Sequence, residues 1–590
     1  MLTNNITNLE EALNIPGFHK LHQNNLTSLS SGILSIDEIL ILKNNLPLIM
    51  DHNTGYDLRS ITMLDIDRLE VHISPHSEFT KNSGGIVVKL YSVEIADKPI
   101  DIQTFITNNS SSDFHIGAKL NLSNKRHNGC ILLNRSFNAA MYENIEDRGT
   151  IVNPMERFDL NLGYKFNILR TVTLSVGSDN AILNTQQRGE IIEGTSRVKD
   201  IEQQLIRNNV YSTLATELSK NHSLTVNALL HRYTNEQNTL IKDLSTGKKE
   251  AIPNSPGQYS TGYNQGYLSF LLSSKNRAFN YNIGLEINSI TDNQFSTINA
   301  IQPSYSDYSA IGMFEYTFRK SFVLEGSAKL LTNSLTGSHF MPGGRITLAP
   351  NNTLQVIGSY QQSIVYPHFS QSFYPANITD GPRNNILLTP SNLSTTNFKV
   401  LVSKENVKLQ SGFVVLTQYN DQRILENQTI SSTGSRRSST TYASLVFANE
   451  WVTWKPSILL TGINNTLDTN SLTFFYPEIN TYLHISVPKT KLNIGFTARR
   501  IGQRNFTTLE AGEYRLVEQD PYNSLSASGS YTFFDDNLII TFGANNLSSL
   551  NFVETKEYEF VNQNPTLIQQ QNAVSNLVRS FFFNIRLRIK

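Results

Sequence analysis

The sequence predicts an all-β protein, a transmembrane antiparallel β-barrel of about 22 strands behind a small N-terminal α+β unit. Three observations carry that reading. The chain closes on an alternating stretch, in which Phe583, Ile585, Leu587 and Ile589 are interleaved with Asn584, Arg586, Arg588 and Lys590. A period of two is a strand, with large apolar groups on one face and polar groups, three of them cations, on the other. Upstream, segments with the same grammar are joined by connections that alternate between short and long, as when one barrel end carries turns and the other loops. No run of about 20 apolar residues occurs, which excludes helical spans, and a mean hydropathy of -0.28 suits strands that are half polar.

Composition narrows the partners. Lys plus Arg number 49 and Asp plus Glu 49, so no global charge favours nucleic acid, and none is expected as a partner. A single cysteine, Cys130, excludes an intrachain disulfide and a cysteine metal cluster. Met1-Leu-Thr-Asn-Asn has neither a basic n-region nor an apolar h-region, so an exported protein is expected here in mature or trimmed form.

Residues 1 to 95 read as one unit and 96 to 590 as the barrel. Asn8-Leu-Glu-Glu-Ala-Leu-Asn-Ile-Pro-Gly17 is a short helix stopped by Pro-Gly. Glu38 to Leu42, Asp67 to Val71 and Gly84 to Leu90 are β-like. From about Asp101 long dyad strands begin, such as Ile116 to Leu122, Phe158 to Phe166 and Leu538 to Ala544. Tight turns fall at Asn124 to Asn128, Asn167 to Arg170, Lys220-Asn221, Asn351-Asn352, Lys489-Thr490 and Asp535 to Asn537. Between them lie polar connections read as long loops, among them Gln186 to Asn208, Asn235 to Gly257, Pro367 to Thr395, Gln503 to Asn523 and Ser549 to Ala573. A propeller would show self-similarity at about 40 to 50 residues, and none is present.

These pieces resemble the TonB-dependent outer-membrane receptors, in which an N-terminal plug fills a 22-stranded barrel. Leu9 to Gly17 is similar to the plug opening, and Glu38 to Leu48 to the strand that ends in an Asp-Gly-hydrophobic-Pro turn. Ile66-Asp-Arg-Leu-Glu-Val71, followed by Pro75, resembles the family's Ile-Glu-Arg-Ile-Glu-Val and Arg-Gly-Pro, and Ser83 to Leu90 its last plug strand. Pro342 to Pro350, Tyr366-Pro367, Pro390 to Leu393 and Gly543 to Leu547 match barrel elements in the same order. The departures are an Asn44-Asn45 turn, Ile73-Ser74 in place of Arg-Gly, and a sequence that begins almost at the Pro-Gly helix, so that the plug reads as N-terminally truncated. Without the plug arginines that pair with barrel carboxylates, a plug seated differently, or no longer required to unseat, is expected.

The resemblance implies a Gram-negative outer-membrane receptor that binds and imports a large scarce nutrient (metal chelate, glycan or peptide) without covalent chemistry. Its implied partners are outer-membrane lipid, the extracellular nutrient, a TonB-type energising protein if a coupling peptide lies upstream, and a surface lipoprotein or other outer-membrane subunits. The alternative is a transport-inactive barrel serving as scaffold or adhesion subunit of an outer-membrane complex. No catalytic or metal-ligating motif and no cofactor site emerges from the sequence, so an enzyme is not expected. The ligand contacts implied are Asp51, His52, Asn53 and Tyr56, in the loop after the Asn-Asn turn, and His368, between the two elements where haem receptors of the family carry a ligating histidine. Receptors of other specificity share those elements.

Overall fold

The computed structural model describes residues 9–13, 18–23, 26–31, 34–35, 39–48, 61–73, 86–92, 99–110, 113–139, 141–142, 150–152, 154–189, 191–192, 194–252, 259–292, 304–319, 321–334, 336–365, 391–421, 434–467, 470–510, 513–534, 537–548, 553–561, 564–573 and 579–589. Asp51, His52, Asn53, Tyr56 and His368 lie outside them.

In the N-terminal unit, Ile39–Lys43 runs parallel to Ile86–Ser92, which pairs antiparallel with Ile66–Ile73, while Leu46–Pro47 folds back on Ile39–Lys43. The continuous apolar run Ile39-Leu-Ile-Leu42 is what a strand covered on both faces requires. Leu40 and Leu42 pack with Val87 on one side, and Ile41 with Leu9, Leu13, Met63 and Val88 on the other. The helix Leu9–Ala12 completes this core. Phe18–Gln23, Leu26–Ser31 and Leu34–Ser35 form a further small sheet that the sequence pattern did not reveal.

The turn after Lys43 keeps the geometry of a tight two-residue hairpin without its glycine. Asn44 and Asn45 both stand at positive φ, 52° and 66°, a conformation asparagine tolerates better than most residues. The Asn44 side chain adds what glycine cannot. Its amide donates to Ser92 Oγ and its Oδ1 accepts from the Ser92 backbone N–H, each at 2.9 Å, while its own N–H donates to Leu90 O at 2.8 Å.

From Ile100 onward the chain forms one closed antiparallel barrel with 22 spanning strands. The last strand, Ser580–Ile589, pairs with the first, Ile100–Asn109, in register from Phe582 with Asn109 to Ile589 with Ile102, so no edge is left open. Arg588 seals this seam with a two-point contact to Asp101, at 2.6 and 3.0 Å. Strand Phe114–Ser123 shows which side faces lipid: Phe114, Ile116 and Leu122 are exposed, while His115, Lys119 and Asn121 are buried. Apolar out and polar in, repeated around a closed ring, is a membrane barrel of the outer-membrane type. Phe583, Leu587 and Ile589 are exposed in the same sense, and Asn584 is buried.

Several segments read as loops are strands instead. Arg197–Ser219 has 23 residues and His222–Asp243 has 22, paired along their length, where a membrane crossing needs about 9 to 11. About half of this hairpin therefore stands above the bilayer, roughly 40 Å at 3.3 Å per residue. Arg504–Glu510, Glu513–Gln519, Val553–Val561 and Asn564–Ala573 form a separate four-stranded sheet at the same end. Outside the lipid, neither face must be apolar. Backbone pairing carries most of their length, and the dyad signal fades.

Candidate functional site

The hairpin tip of the N-terminal unit meets the inner wall of the barrel at a buried cluster of charge. Lys43 Nζ lies 2.7 Å from Asp65 Oδ2 of its own unit and 2.8 Å from Asp179 Oδ2 of the wall strand Val172–Gln187. Arg207 holds the other oxygen of Asp179 at 3.1 Å, and Asn161 donates to Asp65 Oδ2 at 3.1 Å. Beside them Arg157 pairs with Asp159 at 2.9 Å, and Asn134 donates to the same carboxylate at 2.8 Å. Burial alone would push the Lys43 ammonium down, but Asp179 and Asp65 hold it above the usual lysine range. It stays a cation at any physiological pH.

The wall is shaped to receive the tip. Asp179, Arg207, Leu229 and Tyr267 come from four consecutive spanning strands and all point inward. A Cβ on Gly177 would stand 2.5 Å from Tyr211 Oη and 2.6 Å from Leu162 O, so only glycine lets the Tyr211 ring lie there. Leu46 then packs on Leu229 and Tyr267, with Tyr211 alongside. Across the lumen the contact is apolar: Leu393, Val414 and Leu416 of the wall join the core of the N-terminal unit. The seat is thus charged and hydrogen-bonded around the small Leu46 contact on one side and wholly apolar on the other.

Further along the same wall lies a tier of apolar and aromatic groups, Met155, Leu183, Leu205, Tyr233, Tyr263 and Ile290. The Tyr233 and Tyr263 rings stack at 5.0 Å, and His231, which hydrogen-bonds Asn209, sits 5.6 Å from Tyr263. A run of amides and carboxylates borders it: Gln265 donates to Asn288, and Asn288 and Asn333 both donate to Asp307. Among the described residues no group of three or more His, Cys, Asp or Glu is placed to hold a metal.

The resemblance leads to arginines before Pro75 and after Ser31-Gly32, where none stands, and the seat is made by Lys43 instead. The available signal was Lys43 itself, a lone cation ending an apolar strand immediately before a tight turn. A buried charge requires an opposite one nearby, and Asp179 answers it from the wall.

No family model and no curated protein matches the chain. Solved structures do. It is similar to the FrpB iron transporter from Neisseria meningitidis, at 10% identity with a TM-score of 0.77 over 99% of this chain and 96% of that one. A mutant of the ferric enterobactin receptor PfeA from Pseudomonas aeruginosa matches at 11% identity with a TM-score of 0.77, over 98% and 95%. The siderophore receptor PirA from Acinetobacter baumannii matches at 11% identity with a TM-score of 0.77, over 98% and 96%. At such identities the likeness is one of fold. The chain has the fold of the TonB-dependent outer-membrane receptors.

Proposed function

We propose that the protein imports a scarce metal chelate across the outer membrane, with residues 1–95 as a displaceable plug and residues 96–590 as the pore. The observation that carries this reading is the two-sided seat. A permanent stopper is sealed best by apolar packing all round. Here one side is held mainly by ion pairs and hydrogen bonds that water can replace as they open, beside one small apolar contact of Leu46, while the larger apolar contact with Leu393, Val414 and Leu416 can act as a hinge. A pull on the N-terminal end by a TonB-type partner would break the Lys43 contacts first.

The choice of a metal chelate follows the printed names of the similar structures, an iron transporter and receptors for siderophores. The ligand would settle between the tall hairpin Arg197–Asp243 and the outer sheet, with Asp51, His52, Asn53, Tyr56 and His368 as proposed contacts. The test is growth of iron-limited cells whose only ferric-chelate receptor is this protein, across a panel of siderophores. Growth on at least one of them that requires the energising partner supports the reading. Growth on none, or growth that ignores the partner, overturns it.

A further inference from the structure

The tight-turn end of the barrel carries charge that the chain itself leaves unanswered. Five consecutive turns lie at the foot of the wall that holds the seat: Ser123 to His127, Leu169 to Val172, Ser219 to His222, Ser274 to Phe279 and Arg319 to Phe322. Short turns mark the periplasmic end of such a barrel. In the first, Asn124 Oδ1 accepts from the backbone N–H groups of Arg126 and His127, at 2.8 and 2.7 Å. A reversal capped in this way needs nothing from the side chains between the strand ends, which are left to water. Here they are cations. Lys125, Arg126, Arg170, Lys220, Lys275 and Arg277 are all exposed, and Arg319, over the Phe318 ring at 5.7 Å, ends the series.

Among the described residues, none of the first six stands in an ion pair with a carboxylate. Glu217 is the carboxylate nearest these turns, and Glu315 faces the lumen, where it accepts from Asn280 at 2.7 Å. At the opposite end of the barrel cations are matched, Lys248 with Glu250 at 2.8 Å and Lys249 with Glu202 at 2.5 Å. Turns beyond the arc differ too: Asn351-Asn352 is uncharged, Glu405 follows Lys404, and Glu450 follows Asn449.

The arc is held as one piece. Asn167 N–H donates to Arg126 O, Glu217 N–H to Thr171 O, Lys275 N–H to Asn221 O and Thr317 N–H to Ala278 O, so each turn is tied to the next. Neighbouring hairpins stand about 10 Å apart, which spreads these cations along an arc of about 40 Å. Fixed like charges at that spacing hold an excess of small anions, and a polyanion that displaces them gains the entropy of their release. Besides the cations, the described residues between the strand ends are Asn, Thr, Ala and Ser, so the arc lacks the aromatic or aliphatic anchors that a folded partner uses. Exposed Phe279 and Phe318 mark the headgroup level at the strand ends, and the turn cations lie beyond it, toward the periplasm. An extended polyanion running parallel to the membrane fits this arrangement better than a lipid headgroup does.

We propose that the arc binds the peptidoglycan beneath the outer membrane, with the free carboxylates of its peptide stems on Lys125, Arg126, Arg170, Lys220, Lys275 and Arg277. The contact would anchor the foot of the wall against which the N-terminal unit is seated. It is independent of whether the lumen conducts.

The test is co-sedimentation of the full chain, in a neutral detergent, with isolated peptidoglycan sacculi stripped of all protein. Two preparations are compared, untreated sacculi and sacculi whose carboxylates have been converted to neutral amides. Untreated sacculi should carry the protein down at about 0.1 M salt and release it at about 1 M, where the screening length falls to about 3 Å. The amidated sacculi should bind at least about tenfold more weakly. Combining Arg126→Gln, Arg170→Gln, Lys220→Gln and Lys275→Gln should weaken binding to untreated sacculi by about tenfold or more. Lys404→Gln with Lys489→Gln, on the other side of the mouth, should leave it within about twofold. Excess phosphatidylglycerol in the same detergent should not displace the protein. Equal binding to amidated sacculi, undiminished binding by the four-residue variant, or displacement by phosphatidylglycerol would overturn the proposal. The comparison of the two sacculus preparations uses the unaltered protein, so it decides the matter even if a variant fails to fold.

Discussion

Replacing Lys43 with methionine removes the cation but keeps most of the side chain's length, and it takes the shared cation from two carboxylates. Asp65 and Asp179 each place an oxygen within 2.8 Å of the same ammonium, so those oxygens are no more than about 5.5 Å apart. At an effective dielectric of about 20 their repulsion is about 3 kcal/mol. Removing one partner of a buried ion pair typically costs about 3–5 kcal/mol, and Arg207, still 3.1 Å from Asp179, offsets part of it. The net expectation is that opening of the seat becomes easier by about 3 kcal/mol. Hydrogen exchange of Ile39–Lys43 and Ile86–Ser92 reads this directly, because protection there follows local opening. Protection should fall about a hundredfold, at about 1.4 kcal/mol per factor of ten. Adding Asp65→Asn removes one of the two like charges and leaves the Arg207–Asp179 pair intact, and part of the loss should return. Unchanged protection in Lys43→Met would show that the apolar side alone holds the unit and would refute the latch.

The remaining expectations test neighbouring parts of the same account. The Lys43 ammonium is held above its ordinary value of 10.5, so its contribution is fully present below that pH and is lost only as pH rises through the higher folded value. Exchange protection of Ile39–Lys43, corrected for intrinsic rates, should therefore be flat between about pH 6 and 10. Asp243, at the tip of the tall hairpin, behaves in the opposite sense. Hydrogen bonds from Ser245 and the Thr246 backbone hold its carboxyl down at about 2, against an ordinary 3.8. The turn's protection should be intact above 3.8 and decline as pH falls toward about 2. Asn44→Ala would force alanine to a φ of 52° and delete both ties to Ser92, an expected loss of about 2 kcal/mol, seen as faster exchange of Ile86–Ser92. Asn44→Gly relieves the backbone and should lose less. At the barrel seam, Asp101→Asn should cost about 3 kcal/mol and lower the temperature at which the heat-modifiable gel shift appears.

The barrel was legible in the sequence because lipid imposes one rule on every spanning strand. Phe583, Leu587 and Ile589 had to face out and Asn584 in, whatever their neighbours, and closure required Ser580–Ile589 to meet Ile100–Asn109. The central strands Ile39–Lys43 and Ile86–Ser92 were equally visible, since both faces are covered and both read as apolar runs. Water imposes no such rule. The upper halves of Arg197–Ser219 and His222–Asp243 carry only scattered apolar groups, such as Val198, Leu205 and Tyr233, among Asn, Gln and Thr that imitate loop. The seat was hidden for a different reason. Lys43 and Asp179 are 136 residues apart, and nothing local to either one announces the other. The Asn44-Asn45 turn looked degenerate only because glycine was the expected residue. Its φ values show the same turn, made by residues that also bond to the next strand.

The displaceable plug is tested most directly by tethering it. In a Cys130→Ser background, Asp65→Cys and Asn161→Cys would place one thiol on the N-terminal unit and one on the wall, at side chains that now meet at 3.1 Å. A short reducible thiol-to-thiol cross-linker would then fix the seat in living, iron-limited cells. The account predicts that uptake of a labelled ferric chelate that the uncross-linked variant imports stops when the link forms and resumes when it is cleaved. Uptake continuing at its full rate with the link intact would contradict it.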